Sequence, residues 1–253
     1  MARVLAFSNR KGGSAKTTTT VNIAAALAGK GYKVLVIDAD AQAHATISYG
    51  YPPKSVKKDL YSFLVEGESL DNVLYGTYLK TLFLIPASMR LTEFERHYSH
   101  KEEARKSLRD KLEDYKSEYD FIIFDTPPTF SLLTVAVLIA STELIIPVQT
   151  HFLAMESLAA MIKIVRQINK LYNPDLKVKG IIPTFYTKRR NLTRTIIEEI
   201  RQNLGNEIIL HPVRMNVSLA EAPGYGMTIF QYDPKSNGAY DYGKIADQIE
   251  EMK

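Results

Sequence analysis

The stretch Asn9-Arg10-Lys11-Gly12-Gly13-Ser14-Ala15-Lys16-Thr17-Thr18 decides how this chain folds. It follows an aliphatic run at 4–7 that reads as a strand. It leads into 17–28, which reads as a helix stopped by Gly29. Glycines at such a turn let successive backbone N–H groups point inward, where they can hold phosphate oxygens. Lys16 supplies a charge for the outer phosphates of a nucleoside triphosphate, the Thr17 hydroxyl suits Mg²⁺, and the helix dipole faces the same anion. The alternative is a glycine-rich turn that binds nothing. Two lysines, adjacent glycines and Thr-Thr in a strand–loop–helix setting weigh against it. The common pattern G-x-x-x-x-G-K-S/T is not met, because Arg10 and Ala15 occupy its glycine positions.

Outward from this loop, short apolar runs alternate with helical patterns. The strands expected are 4–7, 33–37, 81–85, 121–124, 144–148, 179–183 and 207–210, several of them continuously apolar as in a parallel sheet covered on both faces. Residues 156–172 set Leu158, Met161, Ile162, Val165, Ile168 and Leu171 on one helical stripe. Residues 99–115 do the same with Ala104, Leu108, Leu112 and Tyr115 under a charged cover. The alternation predicts an α/β fold: a doubly wound, mostly parallel sheet with helices on both faces. No repeat or linker divides the chain, so 1–253 is expected to be one domain. Residues 50–71, the least patterned, read as a surface loop or a short helix.

The motif that does fit the opening stretch is x-K-G-G-x-x-K-S/T, the deviant Walker A motif, and with it the sequence resembles the ParA/MinD family of ATPases. The resemblance implies a P-loop NTPase fold of the SIMIBI type. It also implies ATP and Mg²⁺ as ligands, and nucleotide contacts from Lys11, Gly12, Gly13, Ser14, Ala15, Lys16, Thr17 and Thr18. Lys11, redundant in its own loop beside Lys16, is implied to reach across a nucleotide-sandwich homodimer to the partner's phosphates, the work an arginine finger does elsewhere. Asp38-Ala39-Asp40-Ala41-Gln42 resembles the family's D-x-D-P-Q segment. By resemblance Asp40 holds the attacking water and Asp38 supports it; the competing reading of the residues alone is a strand end capped by polar side chains. The apolar run 121–124 ending in Asp125-Thr126-Pro127-Pro128 matches a Walker B strand, with Asp125 reaching Mg²⁺ through water.

Similar segments continue through 147–156, 182–186, 219–226 and 232–236, so the resemblance covers nearly the whole length. The family's I-P-R-N-V-R loop is here Val213-Arg214-Met215-Asn216-Val217-Ser218. Asn216 carries over as an adenine-side contact, while Met215 and Ser218 replace arginines that serve DNA binding in relatives. Ala15 and Ala41 stand where the family has Gly and Pro. A substitute DNA patch is expected at Lys188, Arg189, Arg190 and Arg194. At about 100° per residue, Arg190, Arg194 and Arg201 share one helix face and Leu192, Ile196 and Ile200 another; a solvated face is the competing reading.

Composition narrows the rest. With no Cys, a thiolate metal site, a cysteine nucleophile and the cluster-carrying relatives are excluded. The formal charge of +4 keeps an anionic partner open. The five histidines form no metal-spaced cluster and the fifteen tyrosines are scattered. No long apolar run or signal peptide is present, and the ending 245–253 is acidic rather than a basic membrane helix. These features predict a cytoplasmic protein without a membrane partner, and the resemblance implies association with the nucleoid. The expected function is a ParA-type ATPase that binds double-stranded DNA nonspecifically when ATP-bound and moves DNA or cargo with a ParB-type adaptor. A chain starting at the first strand is expected to lack an operator-reading extension. The alternatives are a MinD-like division-site regulator and an ATP-dependent small-molecule ligase or kinase.

Overall fold

The structure, a computed structural model, describes residues 1–187 and 191–252. Strands β1 (Arg3–Phe7), β2 (Val34–Asp38), β3 (Tyr75–Gly76), β4 (Leu82–Ile85), β5 (Phe121–Asp125), β6 (Glu143–Gln149) and β7 (Lys177–Thr184) form one sheet in the order β3-β4-β2-β5-β1-β6-β7. The pairings are parallel apart from β3 with β4. Alternate strand residues feed two cores. Val4, Ala6, Leu35 and Ile37 pack under the helices Leu91–Tyr98, Glu102–Leu112, Leu132–Ala140, Ala154–Leu171 and Asn191–Leu204. Leu5, Phe7, Val34 and Val36 pack under Lys16–Gly29 and the closing helix Asn237–Glu251. Burial on both faces is why the central strands read as unbroken apolar runs.

From β1 the chain crosses by Lys16–Gly29 to β2 on one side, and from β5 it crosses by Leu132–Ala140 to β6 on the other. The winding direction therefore reverses beside β1 and β5, and the crevice outside their carboxyl ends is where such sheets take ligands. Arg3 braces the opposite end: its guanidinium makes two 2.7 Å bonds to Glu143 of β6 and a third to the carbonyl of Ile249 in the closing helix.

Four local expectations are corrected. Residues 207–210 form no strand; only the bridge of Ile181 with Ile209 is made. The next parallel rung would need N–H groups from residues 183 and 212, and both are proline, so the chain skips and Val213 N–H donates to the Pro183 carbonyl at 2.8 Å. The stretch 99–115 is not one helix: Glu102–Leu112 stands apart from Leu91–Tyr98, and 113–115 tightens into a 3₁₀ turn. The first helix runs through Gly29, and the left-handed turn after it falls at Gly31, φ 99°. In Asn191–Leu204 the inward residues are Thr193, Ile196 and Ile200, whereas Leu192 faces solvent. Residues 50–71 hold a 3₁₀ turn, Pro53–Ser55, and the short helix Leu60–Leu64.

Candidate functional site

The loop between β1 and the first helix stands at the reversal point. Gly13 has φ 71°, and Ala15, the residue before the helix, has φ 66° and ψ 31°. A left-handed alanine costs about 1–2 kcal/mol that glycine would not, which explains why a glycine suits this position. The helix opens with no side-chain cap and no acidic residue in its first turn. Its first N–H groups have no intrahelical acceptor and face the loop, an anion-binding arrangement. Ser14 Oγ is buried without a hydrogen-bond partner. The loop is pinned by β6 and β7 and braced within itself: Asn9 donates to the Pro147 carbonyl at 2.7 Å and accepts from Lys11 N–H at 3.1 Å, and Thr184 Oγ1 donates to the Ser14 carbonyl at 3.2 Å.

Lys16 is buried, its ammonium 3.4 Å from the Lys11 carbonyl. Burial pulls its pKa down, opposed by the nearby Asp125 and Asp40 carboxylates. Asp125, wholly buried at the end of β5, accepts from Thr17 Oγ1 at 2.7 Å and Thr20 Oγ1 at 3.2 Å. Beside it in register stands Asp38 at the end of β2. Burial and the neighbouring Asp38 push the Asp125 carboxyl up, against the Thr17 hydrogen bond. Burial likewise raises Asp38 to about 6, although Thr46 N–H (2.8 Å), Thr46 Oγ1 (2.7 Å) and Asp40 N–H (3.1 Å) all donate to it. Asp38 is thus consumed in holding its own loop. Asp40 caps the next turn by accepting from Gln42 N–H at 3.0 Å, and Thr46 Oγ1 accepts from Ala87 N–H at 2.9 Å. The Asp125 and Asp40 carboxylates near the Lys16 ammonium, together with the Thr17 hydroxyl, offer hard oxygen donors of the kind that suit Mg²⁺.

Behind the loop opens a cavity of about 480 Å³, mostly apolar, lined by Ala15, Thr18, Phe185, Met215, Asn216 and Val217 among others. Phe185 stands at φ 52°, and the exposed Met215 and Val217 form the rim. The structure therefore brings Gly12, Gly13, Ser14 and Ala15 of the loop together with Lys16, Thr17 and Thr18 of the helix start, with Asp38, Asp40 and Asp125 before them and Asn216 behind. Lys11 is half-buried at the loop's entry. Lys188, Arg189 and Arg190 lie outside the described residues. Arg194 is exposed, on a helix where Arg201 pairs with Glu198 at 3.4 Å, so that surface is of mixed charge. Asn9, Thr20, Thr46 and Thr184 escaped the sequence reading; only Thr20, in the run 17–20, carried a local signal.

A parallel sheet whose reversal point carries a two-lysine phosphate loop and a buried Walker B carboxylate defines a P-loop NTPase. Among known proteins, a family model described as an AAA domain matches residues 2–178. The sporulation initiation inhibitor protein Soj of Bacillus subtilis (strain 168) is 37% identical over 251 residues, covering 98% of each chain. The chromosome partitioning protein ParA of Myxococcus xanthus is 34% identical over 98% of this chain and 88% of its own. The crystal structure of cobyrinic acid a,c-diamide synthase from Mycobacterium smegmatis with bound ATP analog and magnesium superposes with a TM-score of 0.83 at 28% identity, over 98% of this chain and 93% of that one. The chain belongs to the ParA/Soj family.

Two outcomes are expected of the site. Ala15→Gly releases the left-handed strain, offset in part by the glycine's greater unfolded-state entropy, for a net gain of up to about 1 kcal/mol in urea unfolding. The raised Asp38 pKa fixes a sign as well. Between about 4 and about 6 the folded state keeps a proton that the unfolded chain releases, so stability falls as pH rises through that window. Melting of the ligand-free protein from pH 4 to 7 should therefore show the wild type losing ground to Asp38→Asn as pH rises.

Proposed function

We propose that this chain is an ATP-dependent, dimerising ATPase that acts as one domain over 1–253 and partitions DNA, or positions another cargo, through cycles of DNA binding. The observation that supports this most is the convergence of Lys16, Thr17, Asp125 and Asp40 at one end of β1, β2 and β5, where buried charges of both signs surround the uncapped helix N-terminus.

In this reading the N–H groups of 12–18 and the Lys16 ammonium hold the triphosphate, with Ser14 Oγ giving its unused hydrogen bond to the same anion. Thr17 and Asp125, the latter through water, hold Mg²⁺, which when bound neutralises charge on the outer phosphates. Asn216 and the apolar cavity wall take the adenine. Asp40 orients the attacking water in line with the outer phosphorus, and Asp38, saturated by Thr46 and Asp40 N–H, keeps the Asp40 loop in place. Lys11 of each copy reaches the other's phosphates, so dimer closure and hydrolysis are one coupled event. The ATP dimer binds double-stranded DNA without reading bases, through Lys188, Arg189, Arg190 and Arg194, and a ParB-type adaptor on the cargo stimulates hydrolysis and release. The setting is the cytoplasm, at the nucleoid. No helix among the described residues is long and apolar enough to cross a membrane.

Mobility shift on unrelated duplexes with ATP, ADP and no nucleotide, repeated at raised salt, tests the cycle. Sequence-indifferent, salt-sensitive binding confined to ATP is expected; turnover of a small molecule without any response to DNA would favour the ligase reading instead. Asp40→Ala should slow hydrolysis about 10²-fold or more while ATP binding and the dimer persist, read by phosphate release and light scattering. Hydrolysis at the parent rate would remove Asp40 from the water-orienting role.

A further inference from the structure

The closing helix (Asn237–Glu251) carries two adjacent residues that touch opposite ends of the site. Tyr242, wholly buried, shares a 3.1 Å hydrogen bond with Thr19 Oγ1 on the phosphate-loop helix. Asp241, also wholly buried, accepts from Arg214 three times: N–H at 2.9 Å, Nε at 3.0 Å and the terminal nitrogen at 2.6 Å. His211 Nε2 stands 3.0 Å from the same carboxylate, and His211 N–H donates to Gln248 of the same helix at 2.7 Å. The Tyr240 ring lies against the Arg214 guanidinium at 5.5 Å. Burial alone would raise the Asp241 carboxyl; the Arg214 and His211 hydrogen bonds outweigh it and hold the carboxyl below its usual range.

A fork-on-carboxylate pair of this kind fixes direction as well as distance. What it fixes here is the segment 211–217, which forms the Val213, Met215, Asn216 and Val217 wall of the cavity. The segment is tied to its neighbour chiefly before Arg214, where Val213 N–H donates to the Pro183 carbonyl at 2.8 Å and the Val213 carbonyl accepts from Tyr186 N–H at 2.9 Å; after Arg214 the Met215 N–H reaches the Tyr186 carbonyl only at 3.4 Å. The Arg214 guanidinium is turned onto the buried Asp241 carboxylate.

We propose that Asp241 is a positioning residue for base recognition: through Arg214 it holds the segment 213–217 so that Asn216 and the rim residues meet the adenine. The proposal rests on the reading of the cavity as the base site. Because the triphosphate is held by a separate loop, the two contributions separate by experiment. Calorimetric titration of the full chain with ATP and with inorganic tripolyphosphate, using wild type, Asp241→Asn, Arg214→Lys and the double variant, reads them apart. Wild type should prefer ATP. Asp241→Asn should weaken ATP about ten-fold and leave tripolyphosphate within about two-fold, Arg214→Lys should do the same, and the double variant should lose no more than the single ones, since both act on one contact. Should Asp241→Asn not fold, Arg214→Lys, which keeps the charge and loses the fork, decides alone. Unchanged ATP affinity, or equal loss of both ligands, overturns the positioning role. A wild type that binds tripolyphosphate and ATP equally well overturns the base site itself, and one that binds neither overturns the nucleotide reading with it.

Discussion

A carboxylate with no access to water, placed at the tip of a central strand, is the constraint on which the rest depends. Asp125 is tolerated there because Thr17 and Thr20 hydroxyls reach it from the first helix and Lys16 lies close by. Those contacts fix the helix start against β5, and with it the loop that precedes the helix. Asp38, alongside in register, adds a like charge that the fold must also absorb. The folded protein thus concentrates negative charge next to an anion-binding loop, an arrangement that favours a ligand carrying both a cation and phosphates over a bare anion.

Much of this was legible in the sequence, for reasons that differ by element. The inner strands were readable because burial on both faces leaves no polar interruption, and the phosphate loop because its lysines, glycines and threonines act through local spacing. Where partners are distant in sequence, legibility fails. Thr46 could not be tied to Asp38, nor Asp241 to Arg214, from either residue alone. The misread stretches have local physical causes: paired prolines at 183 and 212 break a ladder that the apolar pattern of 207–210 suggested, and in Asn191–Leu204 the small Thr193 takes the inward place expected of Leu192.

Backbone strain gathers around the cavity. Ala15 and Phe185, both left-handed, line it, and Ala43 adopts the same conformation in the loop that follows Asp40. Non-glycine residues hold such conformations when their surroundings over-determine them. Here the surroundings are the Thr184–Ser14 bond and the Asp40 cap. The left-handed alanine at position 15 directly follows the Ser14 carbonyl that Thr184 fastens.

One hydroxyl couples two loops. Thr46 Oγ1 donates a hydrogen bond to Asp38 and accepts one from the Ala87 amide, so the turn after β2 and the turn after β4 meet at one oxygen. Asp40, whose N–H reaches the same Asp38 carboxylate, and the exposed Met89, two residues past Ala87, therefore stand at the two ends of one hydrogen-bonded chain that runs toward the β3 edge of the sheet.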